Sequence, residues 1–311
     1  MDYKARQIWR PLGRVVEPLP AGDWWVSHAS YPTVLKCVDG SLVVYFSVRD
    51  AANRSSLACV NLSIDGDRFT IEGTARGPLL MPGPRGSFDA DGVTATSFIQ
   101  DGDRLLAYYL GWTVGVSVPF TNTIGVAEAQ ADGSFARLYA APIVGRSLQN
   151  PFTLGYPWVV RTQRGFEMFF GTHLCWGAKG LAMSHVIKRA VSTDGIYWEQ
   201  EEGVVVPLAG ADDPAEFAIS RPTVMPESDG TISMWYARRR PHYCIGYATS
   251  SDQGLTWQRR DELVTIAGTP EPWESHERTY PCVFDLKGER YMLYNGNGYG
   301  RTGFGLARLE N

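Results

Sequence analysis

Apolar residues in this chain come in short bursts of strand length, separated by turns rich in Gly and Asp. No segment of useful length carries a helical period. The bursts repeat: five copies of one unit recur about every 60 residues. Each copy opens on a short apolar strand, YPTVL from Tyr31, DGVTATSFI from Asp91, YPWVV from Tyr156, RPTVM from Arg221 and YPCVF from Tyr280. A hairpin turn follows (VDGS, QDGD, TQRG, ESDG, LKGE), then an aromatic-rich second strand. There Tyr45–Phe46, Tyr108–Tyr109, Phe169–Phe170, Trp235–Tyr236 and Leu293–Tyr294 share one register, as expected for bulky residues buried between neighbouring sheets. A third strand leads into turns, two of which are Asp-box-like, Ser192–Trp198 and Ser250–Trp257. In these, Asp accepts turn amides and Trp anchors the loop, a structural role.

An outer strand follows the first four copies, whereas the sequence ends at Asn311 just after the third strand of the fifth. The N-terminal IWRPLGRVVEP resembles the outer-strand segment TWQRRDELVTI. The expectation is therefore an all-β, five-bladed β-propeller over residues 1–311, closed by its N-terminal strand.

The charge balance, 29 Lys+Arg against 33 Asp+Glu, gives no basic surface to recruit nucleic acid. No stretch is apolar enough for a signal peptide or a membrane span, so a cytoplasmic protein without membrane insertion is expected. Cys37, Cys59, Cys175, Cys244 and Cys282 have no metal-binding spacing and read as buried free thiols. No cofactor or metal site is expected, and the oligomeric state is open.

In a propeller the segments leading into the innermost strands converge on one mouth of the central channel, where chemistry is expected. Here they are polar: SHASYP with His28, RGSFDADGV with Asp89 and Asp91, SLQNPF with Asn150, DDPAEFAISRP with Glu216 and Arg221, and PWESHERTYP with Glu274, His276, Glu277 and Arg278. Only one of Glu274 and Glu277 is expected to face the channel. The second-strand ends add Arg49, Trp112, Asn297 and Tyr299. Carboxylates serve as acid, base or nucleophile at a glycosidic bond, aromatic faces stack on sugars, and Arg or Asn binds hydroxyls or anions. Asp91, Glu216, Arg221 and Glu277 are expected to share one pocket, with His28 and His276 on its rim or floor. His173, His185 and His242 lie outside these segments and are not candidates.

The segments GSFDADGV, YYLGWT, VPFTNTIGVA, EFAISRPTV, MWYARR, YCIGYATSSDQGLTW and YMLYNGNGYGRTGFGLA resemble the five-bladed propeller superfamily of glycoside hydrolase families 32, 43, 68 and 130. Within it they are most similar to a branch of bacterial proteins associated with surface-polysaccharide genes, which also resembles the N-terminal domain of plant glucosamine inositolphosphorylceramide transferases. The resemblance implies a catalytic Asp in blade two, matched by Asp91, and a Glu acid from a later blade, matched by Glu216 or Glu277. It also implies a blade-one carboxylate, where SHASYP has none and leaves His28 for proton transfer.

The expected function is a carbohydrate-active enzyme making or breaking a glycosidic bond in polysaccharide biosynthesis, by hydrolysis, phosphorolysis or transfer. Its catalytic groups would be Asp91, Glu216, Glu277 and His28. Asp89, Arg49, Trp112, Asn150, Arg221, His276, Arg278 and Asn297 would bind a sugar, nucleotide-sugar or glycan. A non-catalytic sugar-binding module or scaffold serving a partner glycosyltransferase is the alternative.

Overall fold

The computed structural model describes residues 6–178 and 182–310. The chain is all-β. β1 (Gln7–Val16) precedes the repeat. The first unit is β2 (Ser27–Lys36), β3 (Leu42–Arg49), β4 (Ser55–Asp65) and β5 (Arg68–Leu80); the second is β6 (Gly92–Asp101), β7 (Arg104–Val114), β8 (Phe120–Ala129) and β9 (Phe135–Arg137). The third is β10 (Leu154–Thr162), β11 (Gly165–Trp176), β12 (Met183–Ser192) and β13 (Glu199–Val206). The fourth is β14 (Ala218–Pro226), β15 (Ile232–Arg239), β16 (Tyr243–Ser250) and β17 (Gln258–Arg259). After β18 (Val264–Ile266) the last comprises β19 (Thr279–Leu286), β20 (Glu289–Asn295) and β21 (Phe304–Leu309).

Within each unit, sequential strands pair antiparallel. Single parallel bridges, Ser55 to Gly92 and His185 to Ala218, join the first unit to the second and the third to the fourth. β1 pairs antiparallel with β21, from Trp9 opposite Leu309 to Val16 opposite Phe304, and runs parallel to β18 on its other edge. The innermost strands lie side by side, β2 against β6, β6 against β10, β10 against β14, β14 against β19, and β19 against β2.

The apolar core fills the gaps between adjacent units, and the paired aromatics of the second strands explain how. Consecutive strand residues point to opposite faces. Tyr45 therefore packs toward the second unit while Phe46 packs toward the last, and Phe170 and Phe169 divide between the second and fourth units in the same way. Trp9 of β1 is fully buried edge-on against Trp235, with Gln7 Oε1 accepting both indole N–H groups.

The two Asp-box turns are local staples. Asp194 Oδ1 accepts the amides of Ile196 and Tyr197, Asp252 Oδ1 accepts that of Thr256, and the indoles of Trp198 and Trp257 donate to Gly195 and Gly254. All five cysteines are free, but only Cys59 and Cys282 are buried. Cys175 is exposed near the end of β11, beyond the last pair with β10 and opposite Ser184 of β12 alone.

Candidate functional site

Four innermost strands carry the same irregularity. Tyr31, Tyr156, Arg221 and Tyr280, each followed by Pro, hold φ between 52° and 57°. At each one the pairing with the second strand slips. A non-glycine residue with positive φ costs on the order of 1 kcal/mol, and a bulge re-aims its side chain. Here the bulges turn three phenols toward one another. Ring centroids lie 4.4 Å apart for Tyr31 and Tyr280 and 5.3 Å apart for Tyr31 and Tyr156. Tyr243 packs against Tyr280 and Tyr299.

These tyrosines wall a cavity of about 360 Å³. It opens where the innermost strands begin and the second strands end. Arg49, Trp112, His173 and Arg239, at or near second-strand ends, complete the wall with Phe120, Asn122 and His185. Trp112 Nε1 donates to Ser55 Oγ at 2.8 Å, and Arg239 Nη2 donates to the Tyr299 hydroxyl at 3.2 Å. Asn295, fully buried, ties the site together: its Oδ1 accepts the Tyr31 amide and its Nδ2 donates to Ala29 O and Gly303 O.

The groups are neutral except the arginines. Burial raises the pKa of Tyr31, Tyr156, Tyr243 and Tyr280. Burial lowers His173 to about 3 and His185 to about 4. The two imidazoles stack at 5.0 Å, and His185 Nδ1 donates to Ile219 O, which fixes its tautomer. No carboxylate lines the cavity among the described residues. Nor do the described residues gather three or more His, Cys, Asp or Glu that could hold a metal. A larger groove of about 1270 Å³ lies among the hairpin turns and Asp-box loops at the opposite ends of these strands.

Of the twelve expected site residues, Arg49 and Trp112 line the cavity; the other ten do not. Asp91, Glu216, Arg221 and Glu277, expected in one pocket, are held elsewhere. Asp91 Oδ2 accepts the Val114 amide at 2.7 Å; Val114 lines the cavity but Asp91 does not. Glu216, its side chain inaccessible, accepts Arg238 and both guanidinium branches of Arg259. Burial alone would raise the Glu216 pKa; hydrogen bonds from Arg259, Arg238 and the Ala209 amide bring it below its usual value. Glu277 Oε2 accepts the Gly298 amide, and Asn297 Oδ1 accepts the amides of His276 and Glu277, so these residues fasten two loops together. The exposed His276 ring stacks on His242.

Asp89 is fully buried, paired to Arg137 at 2.6 Å and accepting the Tyr109 hydroxyl. Arg278 pairs with Glu274. Asn150 is buried against Gln200. His28 is buried against Ser27, and burial together with the charges of Arg49 and Arg301 lowers its pKa to about 4. Arg221 is fully buried between β2, β14 and β19, donating to Pro32 O, Thr33 Oγ1, Pro281 O and Thr223 Oγ1. Sequence reasoning passed over Tyr31, Tyr156, Tyr280, Tyr243, His173, His185 and Arg239. The recurring Tyr-Pro at the head of the innermost strands was the available signal.

The fold is shared with solved glycoside hydrolases. A solved "Glycoside hydrolase" superposes with TM-score 0.75 at 14% identity, covering 99% of this chain and 93% of that one. A thermostable family-43 glycoside hydrolase gives 0.61 at 15% identity, over 95% and 91%. The Bombyx mori GH32 β-fructofuranosidase BmSUC1 gives 0.61 at 14% identity, over 90% of this chain and 61% of that one. The chain matches no family model. It is 42% identical over 306 residues to the Mycobacterium tuberculosis proteins "Uncharacterized protein MT1551" and "Uncharacterized protein Rv1502", covering 97% of this chain and 99% of each. The chain belongs to the family of these mycobacterial proteins.

Proposed function

We propose that the chain is a carbohydrate-active, five-bladed propeller closed by β1, and that its tyrosine-walled cavity holds a sugar. What supports the ring is the neighbour sequence of innermost strands and the pairing of β1 with β21. What supports the sugar is the composition of the wall. Phenol and indole faces stack on the C–H faces of a pyranose, while neutral hydroxyls, Asn122 and arginine N–H groups match its hydroxyls. The shared fold with glycoside hydrolases adds an analogy of architecture.

The single observation that carries this reading is a central cavity rich in aromatics and, among the described residues, without a carboxylate. Glycosidic cleavage by the usual route needs two carboxylates flanking the bond. The cavity therefore favours sugar binding in the service of a glycan pathway. The second reading, an enzyme acting on a glycosidic bond, rests on Asp91, whose carboxylate is anchored beside the Trp112–Val114 rim. Calorimetry with a panel of mono- and oligosaccharides, run beside turnover assays on nitrophenyl glycosides with and without phosphate, separates them. The expected result is saturable binding that Tyr156→Ala abolishes, and no turnover. Turnover that Asp91→Asn removes would establish the enzyme instead; no binding of any sugar would sink both.

A further inference from the structure

Outside the cavity, six buried or half-buried arginines carry a counter-charge. Arg137, Arg189, Arg238, Arg259, Arg278 and Arg290 each sit against at least one carboxylate. The two arginines of the cavity differ. Arg49 donates to the neutral Asn53 Oδ1, and Arg239 donates to the Tyr299 hydroxyl while lying over the rings of Tyr243 and Phe217. Neither makes an ion pair among the described residues.

The two guanidiniums come from the first and fourth units, yet they line one cavity together with Tyr156. A low-dielectric cavity holding two cations and no counter-charge favours an anion strongly, and arginine forks match planar carboxylate or tetrahedral phosphate oxygens.

We propose that the cavity selects an anionic sugar, a monosaccharide unit bearing a carboxylate or a phosphate, with Arg49 and Arg239 gripping the acidic group and the tyrosines stacking on the ring. The inference rests on the sugar-binding reading above. A volume of about 360 Å³ lies at the small end of ligand sites, which suits one substituted ring rather than a long glycan.

Titration calorimetry with glucuronate, glucose 1-phosphate, glucose and inorganic phosphate tests it. One of the two acidic sugars should bind at least about tenfold more tightly than glucose, as expected for one charge-assisted contact. Its affinity should fall as salt is raised. Whichever acid binds more tightly identifies the group. Arg49→Gln and Arg239→Gln should each weaken the acidic sugar by about tenfold or more and so narrow its advantage over glucose, and Arg239→Lys should restore part of the loss. The salt dependence of the unmodified protein provides a readout independent of how the variants fold. Equal affinity for glucose and both acids would overturn the anionic selection while leaving sugar binding intact. Inorganic phosphate binding as tightly as either acidic sugar would overturn it too, because the ring would then contribute nothing. Binding of none of the four would overturn both proposals.

Discussion

At the scale of single residues, burial has set the protonation states that matter. His28, His173 and His185 sit at about 4, 3 and 4, below the ordinary 6.5, chiefly because burial disfavours the imidazolium. The unfolded chain therefore takes up these protons first. Their contribution to stability is complete above about pH 6.5 and falls as pH drops toward the folded values, by on the order of 1–2 kcal/mol per histidine at pH 5. Urea midpoints should be flat from pH 8 to 7 and decline steeply from 6.5 to 5. His185→Gln should shallow that decline; an unchanged midpoint at pH 5 in the unmodified protein would contradict the buried neutral state. Glu216 makes a contrasting prediction. Its carboxylate is enclosed by Arg238 and Arg259, so Glu216→Gln leaves buried cations short of a partner. Stability should fall by about 3–5 kcal/mol. Sugar affinity should stay within about twofold, since the group does not line the cavity. Loss of binding in a variant that melts normally would return Glu216 to the site.

At the scale of elements, the lead-in loops explain why the carboxylates looked catalytic. The second aromatic slot of each second strand faces the preceding unit. Where that slot is tyrosine, its hydroxyl meets an acid: Tyr109 with Asp89, Tyr294 with Glu274, and Tyr236 with Asp261, which shares Arg259 with Glu216. Where it is Phe46 or Phe170, the lead-in segments SHASYP and SLQNPF carry no carboxylate. The acids thus staple loops to their own units. The repeat, its strand order and the Asp-box turns were legible because period-two alternation and turn chemistry are local signals. The cavity was not, because the direction of Tyr31, Tyr156 and Tyr280 depends on bulges whose φ no alternation pattern encodes. His173 and His185 reach the cavity from a second and a third strand rather than a lead-in loop. The N-terminal strand offers a further test. β1 brings Trp9 into the core between the fourth and last units and covers the edge of β21. Trp9→Ala should cost about 3–5 kcal/mol. Removing residues 1–18 should expose a strand edge and promote association, seen by light scattering. A truncated chain that stays monomeric with an unchanged Tm would show that β1 is dispensable.

At the scale of the whole molecule, a chain of net charge −4 keeps a positive centre. Its cavity presents Arg49 and Arg239, and Arg221, wholly buried, lies between β2, β14 and β19 without lining the cavity. Arg221 occupies the place that tyrosine takes in the YP openings of the first, third and last units, with the same positive φ, but its side chain joins neighbouring strands rather than lining the cavity. It donates to the carbonyls of Pro32 and Pro281 and to the hydroxyls of Thr33 and Thr223, so one guanidinium spans β2, β14 and β19. These carbonyls follow the bulges that turn Tyr31 and Tyr280 toward the cavity, and Pro281 O also accepts the Thr223 hydroxyl. A guanidinium is the one side chain with enough donors, in a fixed plane, to satisfy several strands at once. Burial lowers its pKa without the relief of a carboxylate, so the carbonyl and hydroxyl oxygens must hold the charge. Arg221→Met removes the charge and fills much of the volume but takes the guanidinium from Pro32 O, while Pro281 O keeps the Thr223 hydroxyl. The expected loss is about 1–3 kcal/mol, the cost of one unsatisfied buried acceptor. Arg221→Lys should recover only part, because three donors on a point charge do not reproduce the fork. Both variants should keep sugar affinity within about twofold in the fraction that remains folded, measured well below the melting temperature. A variant of unchanged stability that loses an acidic sugar would instead make Arg221 a ligand-binding residue and shift the anion from the Arg49–Arg239 wall to its guanidinium.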